Sequence, residues 1–150
     1  MKHLQILSLI ALINFSCSKS KCGPESRGLN HKVDLYAATF FGISAQYNVR
    51  SILSKMEWNK IDDVDIISLT QFNNYMFDKF NKYQGIGHNT PYGKEIVDPF
   101  GSPVFIVRKN STYYLYSFAC NKKWDNFSYD DYYVKLLFWE IEWGETLSIE

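Results

Sequence analysis

The side chains that could do chemistry are few, and they gather late in the chain. Ser117, Asn121, Asp125, Asn126, Ser128, Asp130 and Asp131 place seven oxygen-bearing groups within one stretch, residues 117–131. Calcium is a hard cation that takes about six to eight oxygen ligands in a flexible arrangement, and loops supply them from side chains and backbone carbonyls. The other reactive groups are scattered. Cys120 with a distant histidine such as His88 could imitate a thiol nucleophile and its base, but no local signature accompanies either residue. Asp62 and Asp63 are adjacent in sequence and need not converge on one substrate. The chain has no CxxC, HExxH or GxSxG, and no phosphate-binding Gly-Lys-Ser/Thr. The reading is non-enzymatic, with a small secreted or periplasmic hydrolase as the alternative.

The elements that must position these groups follow from the patterning. The chain has 150 residues, 16 basic and 16 acidic side chains and a formal net charge of zero. Its length suits a single domain, and 46% hydrophobic residues exclude general disorder. A nucleic-acid protein would carry a basic excess, so no nucleic-acid partner is expected. Seven basic and three acidic side chains in residues 17–60 become three and seven in 121–150, a gradient within ordinary surface scatter.

In residues 32–48, Val33, Tyr36, Ala37, Phe40, Ile43, Ser44 and Tyr47 recur at helical spacing. Residues 49–58 read as a second short helix or an extension of the first. A third is expected to start near Ile61, with Asp62, Asp63 and Asp65 in its first turns against the positive end of its dipole. Its stripe is Val64, Phe72, Tyr75, Met76, Phe80 and Tyr83, with Gly85 as its C-terminal cap. Glycines and prolines make 85–102 a loop-rich crossing. Val104-Phe105-Ile106-Val107 and Tyr113-Tyr114-Leu115-Tyr116 read as strands joined by a tight turn at Asn110-Ser111, and 132–143 as a further strand. Helices followed by an antiparallel sheet of about three to four strands define an α+β domain over residues 32–150.

The amino terminus reads as a processing segment. Lys2 and His3 precede an almost wholly apolar run over residues 4–15, too short to span a bilayer. That describes a secretory signal over residues 1–16. Asn14-Phe15-Ser16-Cys17 resembles a bacterial lipoprotein signal, in which a small residue precedes the lipidated cysteine. The resemblance implies that Cys17 carries acyl chains and that residues 17–31 are a polar tether holding the domain at a membrane. Ser18 after the cysteine, by the same resemblance, implies the outer membrane. Lipidation of Cys17 would leave Cys22 and Cys120. Outside the cytoplasm these two either form a disulfide, worth ~4–5 kcal/mol on the chain-entropy model, or remain as separate thiols. Without the lipid, the domain would be a soluble disulfide-bonded binding protein.

Residues 95–135 carry a second resemblance. Asp98-Pro99-Phe100-Gly101-Ser102-Pro103 opens the hairpin, Tyr116-Ser117-Phe118-Ala119-Cys120-Asn121 leaves it, and Asp130-Asp131 precede the next strand. The segment is similar to the C-terminal part of the major pseudopilin of type II secretion. That family shows Asp-Pro-(Trp/Phe)-Gly-x-Pro, a hairpin, Tyr-x-x-Ser-x-Gly-x-Asp-Gly and an acidic pair. The resemblance implies a pseudopilin-head-like fold, an envelope protein partner and a calcium-held loop. Its ligands here would be Asn121, Asp130, Asp131 and carbonyls near Phe118. Ala119 and Lys122 stand where the family has glycines, and Asn121 where it has an acid. The amino terminus does not show the fibre-forming pattern of a pilin, so the chain is not expected to polymerise as a pilin does and resembles a pseudopilin-type head domain on a lipid anchor.

Overall fold

The computed structural model describes residues 22–87 and 90–138. Within them the order is α1 (His31–Gln46), α2 (Val49–Ser54), β1 (Asn59–Ile61), β2 (Val64–Ser68), α3 (Leu69–Lys79), β3 (Val104–Lys109), β4 (Thr112–Ser117) and β5 (Tyr132–Lys135). A 3-10 helix over Pro24–Leu29 precedes α1. The protein is α+β. Its strands form one antiparallel sheet in the order β1-β2-β3-β4-β5, five rather than the three to four expected.

The extra strands come from the region read as the start of a helix. Asn59 pairs with Ile66, Lys60 with Asp65 and Ile61 with Val64, closing a two-residue turn at Asp62 and Asp63. Asp62 takes φ 50°, a left-handed conformation that aspartate tolerates better than most side chains. Asp65 lies on β2 beside Arg108 of β3, with Nη2 to Oδ2 at 2.7 Å. The three carboxylates therefore serve a turn and a strand, not a helix dipole. Val64 and Ile66 point to one face of the sheet and Ile67 to the other, so both faces of β2 are covered. That two-sided burial fills in the alternation and imitates a helical stripe. The true start of α3 is written at Ser68. Its Oγ accepts from the Thr70 amide, and Gln71 Oε1 accepts from the Ser68 amide. This Ser-x-x-Gln capping box satisfies amides that a helix start leaves without partners.

The inner face of the sheet carries the main core. α1 buries Val33, Tyr36, Phe40, Ile43 and Ser44 along the expected face. It lies against β4 and β5, and α3 lies against β2 and β3. Phe40 is fully buried between the rings of Phe72, at 5.0 Å, and Phe138, at 6.1 Å. Ile67, Val104, Ile106, Leu115 and Leu136 complete the layer.

α3 also organises the loop-rich crossing. Buried Asn73 accepts from the Tyr83 hydroxyl and the Ile86 amide, and Thr70 Oγ1 accepts from the Ile96 amide. The helix ends at Phe80, so Gly85 is not its cap. Gly85 has φ 90°, and a Cβ there would meet the Thr90 carbonyl oxygen at 2.4 Å. The turn at Asn110 and Ser111 has both residues left-handed, φ 48° and 63°, the twist a tight hairpin needs. β5 directs Val134 to the core and exposes Tyr133. The strand expected over 132–143 ends at Lys135, residues 136–138 continue outside any strand, and the rest, from residue 139 on, lies outside the described residues. So do the signal segment, Cys17 and His88.

Within the segment expected as tether, Cys22 is fixed to the domain and Asn30 is buried. Cys22 is bonded to Cys120 across 98 residues, with their Cα atoms 5.4 Å apart. The Tyr129 hydroxyl donates to the Cys22 carbonyl at 2.6 Å.

Candidate cation site

The outer face of the sheet is covered by the loop between β4 and β5. Val64, Ile66, Val107 and Tyr116 form a small buried cluster there, and Phe118, Trp124 and Phe127 pack on it from the loop. Phe118 stacks on Phe105 at 4.9 Å, and Trp124 lies 4.8 Å from Tyr116. Trp124 Nε1 also donates to Asp62 Oδ2 at 2.6 Å, which ties the loop to the β1–β2 turn.

A loop has no repeating backbone pairing, so its buried amides need side-chain acceptors. Three buried aspartates provide them. Asp98, 2% exposed, accepts from the Phe100 and Ser102 amides through Oδ1, and from the Ser117 hydroxyl through Oδ2. Ser117 Oγ in turn accepts from the Ala119 amide, and Ser102 Oγ donates to the Ala119 carbonyl. The Asp-Pro-Phe-Gly-Ser-Pro segment is thus the bracket from which the loop departs. Asp130 Oδ2 accepts from the Asn121 amide at 2.8 Å. Asp131 Oδ2 accepts from the Asp125 amide at 2.9 Å and from the Tyr116 hydroxyl, which itself accepts from the Phe127 amide.

These bonds leave oxygens over. Asp130 and Asp131 are fully buried, and the Oδ1 atom of each has no hydrogen-bond partner. Carboxylate oxygens of Asp125, Asp130 and Asp131 lie within 4.8 Å of one another. Among the described residues, no lysine or arginine pairs with any of the three. A buried carboxylate without a compensating charge is costly. Burial pushes the Asp131 carboxyl up to about 6, with Asp125 and Asp130 adding to the rise and the donors from Tyr116 and the Asp125 amide opposing it. Burial and Asp131 likewise push the Tyr116 hydroxyl up, so it stays protonated as a donor.

The expected ligand residues are brought together unequally. Asp130 and Asp131 come together with Asp125. Asn121 sits beside them but acts as a brace: its Oδ1 accepts from the Lys123 amide and its Nδ2 donates to Asp125 Oδ2 at 2.5 Å. Phe118 contributes its ring to the outer cluster. The residue missing from the expected ligand set is Asp125. It belongs to the same oxygen-rich stretch, and its place six residues before Asp131 is the signal that could have found it. Ala119, Lys122, Asn126, Phe127 and Tyr129 all have φ between 48° and 65°. Ala119 and Lys122 therefore adopt, without glycine, the conformation that glycine adopts freely.

The donor set suits a hard divalent cation: carboxylate oxygens, two of them buried and unpartnered, with no sulfur or imidazole among them. Cys120 is consumed by its disulfide and offers no thiolate, so the pairing of Cys120 with His88 lacks its nucleophile. No helix among the described residues is long and apolar enough to cross a membrane. No protein-family model, curated protein or solved structure matches the chain.

Proposed function

We propose that this chain is a non-enzymatic, lipid-anchored protein of the bacterial cell envelope. Its α+β domain, similar to a pseudopilin head, serves as an interaction module for an envelope partner, and calcium closes its β4–β5 loop. The observation that carries the calcium reading is the pair of orphaned Oδ1 atoms on fully buried Asp130 and Asp131, with Asp125 alongside. Asp125, Asp130 and Asp131 would hold the ion. Calcium would supply the positive charge that no side chain brings, and the loop would gain stability from binding in the folded state alone.

The envelope setting draws on Cys17 and its flanking residues, and the Cys22–Cys120 bond suits an oxidising compartment. The chemistry of an envelope partner rather than a substrate fits a domain whose convergent ionisable groups are three aspartates with no nucleophile among them.

Two experiments test the reading. Thermal melting of the mature domain in calcium and in chelator should differ by several degrees, and Asp130→Ala should abolish the difference. Equal melting points in wild type would remove calcium from the proposal. In a bacterial host, Cys17→Ala should change the protein's mass by the acyl groups and move it from membrane to soluble fractions. An unchanged partition would remove the anchor.

A further inference from the structure

Cys22 holds both ends of the acidic loop. Its sulfur is bonded to Cys120, the residue before Asn121, whose amide donates to Asp130 Oδ2. Its carbonyl accepts from Tyr129, the residue before Asp130. The sulfurs of Cys22 and Cys120 and a carboxylate oxygen of Asp130 lie within 4.8 Å of one another. One residue from the amino-terminal segment thus holds the loop at Cys120 by a covalent bond and at the Tyr129 side chain by a hydrogen bond, next to Asn121 and Asp130, which bond to each other.

We propose that the Cys22–Cys120 disulfide is a redox control on the cation site: oxidation fixes Asp130 for binding, and reduction releases it. The inference rests on the calcium reading given above. Reduction by a dithiol breaks the S–S bond. Two electrons and two protons pass from the dithiol to Cys22 and Cys120, and the reductant leaves as a cyclic disulfide. The Cys22 carbonyl is then held by a single hydrogen bond from Tyr129, and the Cys120-Asn121 end of the loop has lost its covalent brace. Asn121 is then placed against Asp130 and Asp125 by its hydrogen bonds alone. A site with three carboxylates needs its geometry held against their mutual repulsion, so loosening one end lowers affinity.

Coupling of this kind is reciprocal. If reduction weakens calcium binding tenfold, calcium must shift the disulfide–dithiol equilibrium tenfold toward the disulfide, which is ~30 mV for a two-electron couple. Tyr129 is a positioning residue in this scheme. Its phenyl ring is half-exposed, so Tyr129→Phe removes the bond to Cys22 at little packing cost.

The test uses calcium itself as the probe. Calcium affinity is measured by calorimetry on oxidised protein, on protein reduced and alkylated, and on the Cys22→Ser, Cys120→Ser double variant. The expected result is at least a tenfold loss in both reduced forms. Wild-type protein is also equilibrated with a series of dithiothreitol ratios in calcium and in chelator, a measurement that needs no variant to fold. Calcium should favour the disulfide by the same factor, and Tyr129→Phe should diminish that factor. Equal affinity in oxidised and reduced protein, or a redox equilibrium indifferent to calcium, overturns the control while leaving the calcium site intact. Failure of the oxidised protein to bind calcium overturns both, and that outcome is distinguishable because it appears in the first titration.

Discussion

The two faces of the sheet are covered by different kinds of structure. Helices α1 and α3 cover the inner face. Each satisfies most of its backbone internally and presents a largely apolar stripe, so the interface with the sheet asks mainly for shape and apolar area. A loop covers the outer face. It brings rings to a small cluster around Tyr116, but it also brings buried amides that need acceptors. Asp98, Asp130 and Asp131 meet that need. A carboxylate has more acceptor capacity than one or two amides use, and the surplus oxygens on Asp130 and Asp131 are what makes the outer face a candidate cation site. The inner face is stable by exclusion of water; the outer face is a balance between hydrogen bonds gained and charges buried.

That contrast can be broken from either side. Phe40→Ala removes a fully buried ring from the inner face and should cost ~3–5 kcal/mol by urea unfolding, the same in calcium and in chelator. Tyr116→Phe keeps the ring on the outer face but deletes a hydroxyl that donates to Asp131 and accepts from the Phe127 amide. It should cost ~1–3 kcal/mol, because a buried amide is left without a partner. A cost near zero for Tyr116→Phe would mean that the outer face is held by packing alone.

A smaller effect should appear with pH. The Asp131 carboxyl sits at about 6 in the fold, against an ordinary value of 3.8. The neutral form is favoured on folding, so its contribution to stability is complete below pH ~4 and is lost as pH rises through about 6. In chelator, wild type should therefore lose stability between about pH 4 and 6 relative to Asp131→Asn. A parallel pair of curves would show that the buried charge costs nothing. The smallest change expected is from Lys122→Gly. A left-handed lysine costs ~1–2 kcal/mol, and glycine returns ~0.5–1 of that through unfolded-chain entropy. The variant should be more stable by ~0.5 kcal/mol in chemical denaturation. A loss instead would assign Lys122 a role in the loop that its exposed side chain does not indicate.

Much of the inner face was legible in the sequence. The stripe through Val33, Tyr36, Phe40 and Ile43 is a property of spacing, and it buries as written. The β3–β4 turn at Asn110 and Ser111 is equally local. The β1–β2 hairpin was not legible. β1 has one apolar residue among Asn59, Lys60 and Ile61, and β2 is apolar on both faces at Ile66 and Ile67 because the loop packs on the outer side, so the period of two that marks a half-exposed strand is missing. Ser68 and Gln71 did mark the start of α3, and that signal was weaker than the aspartates that seemed to precede it. At the site, the acidic pair was legible as a pair. The bracing role of Asn121 and the convergence of Asp125 were not, because both depend on how the left-handed residues between 119 and 129 fold the loop back.

By itself, the sequence determined the stripe of α1, the central hairpin and the oxygen-rich stretch. These depend on residue type and near spacing, which the chain carries wherever it goes. The tertiary structure alone decided that the sheet has five strands and that a loop closes its outer face. It also decided that Asp130 and Asp131 are buried with oxygens to spare, and that Cys22 clasps both ends of their loop. Those outcomes depend on which surfaces exclude water from which carboxylates, and that is settled only when segments as distant as residues 22, 62 and 131 come together.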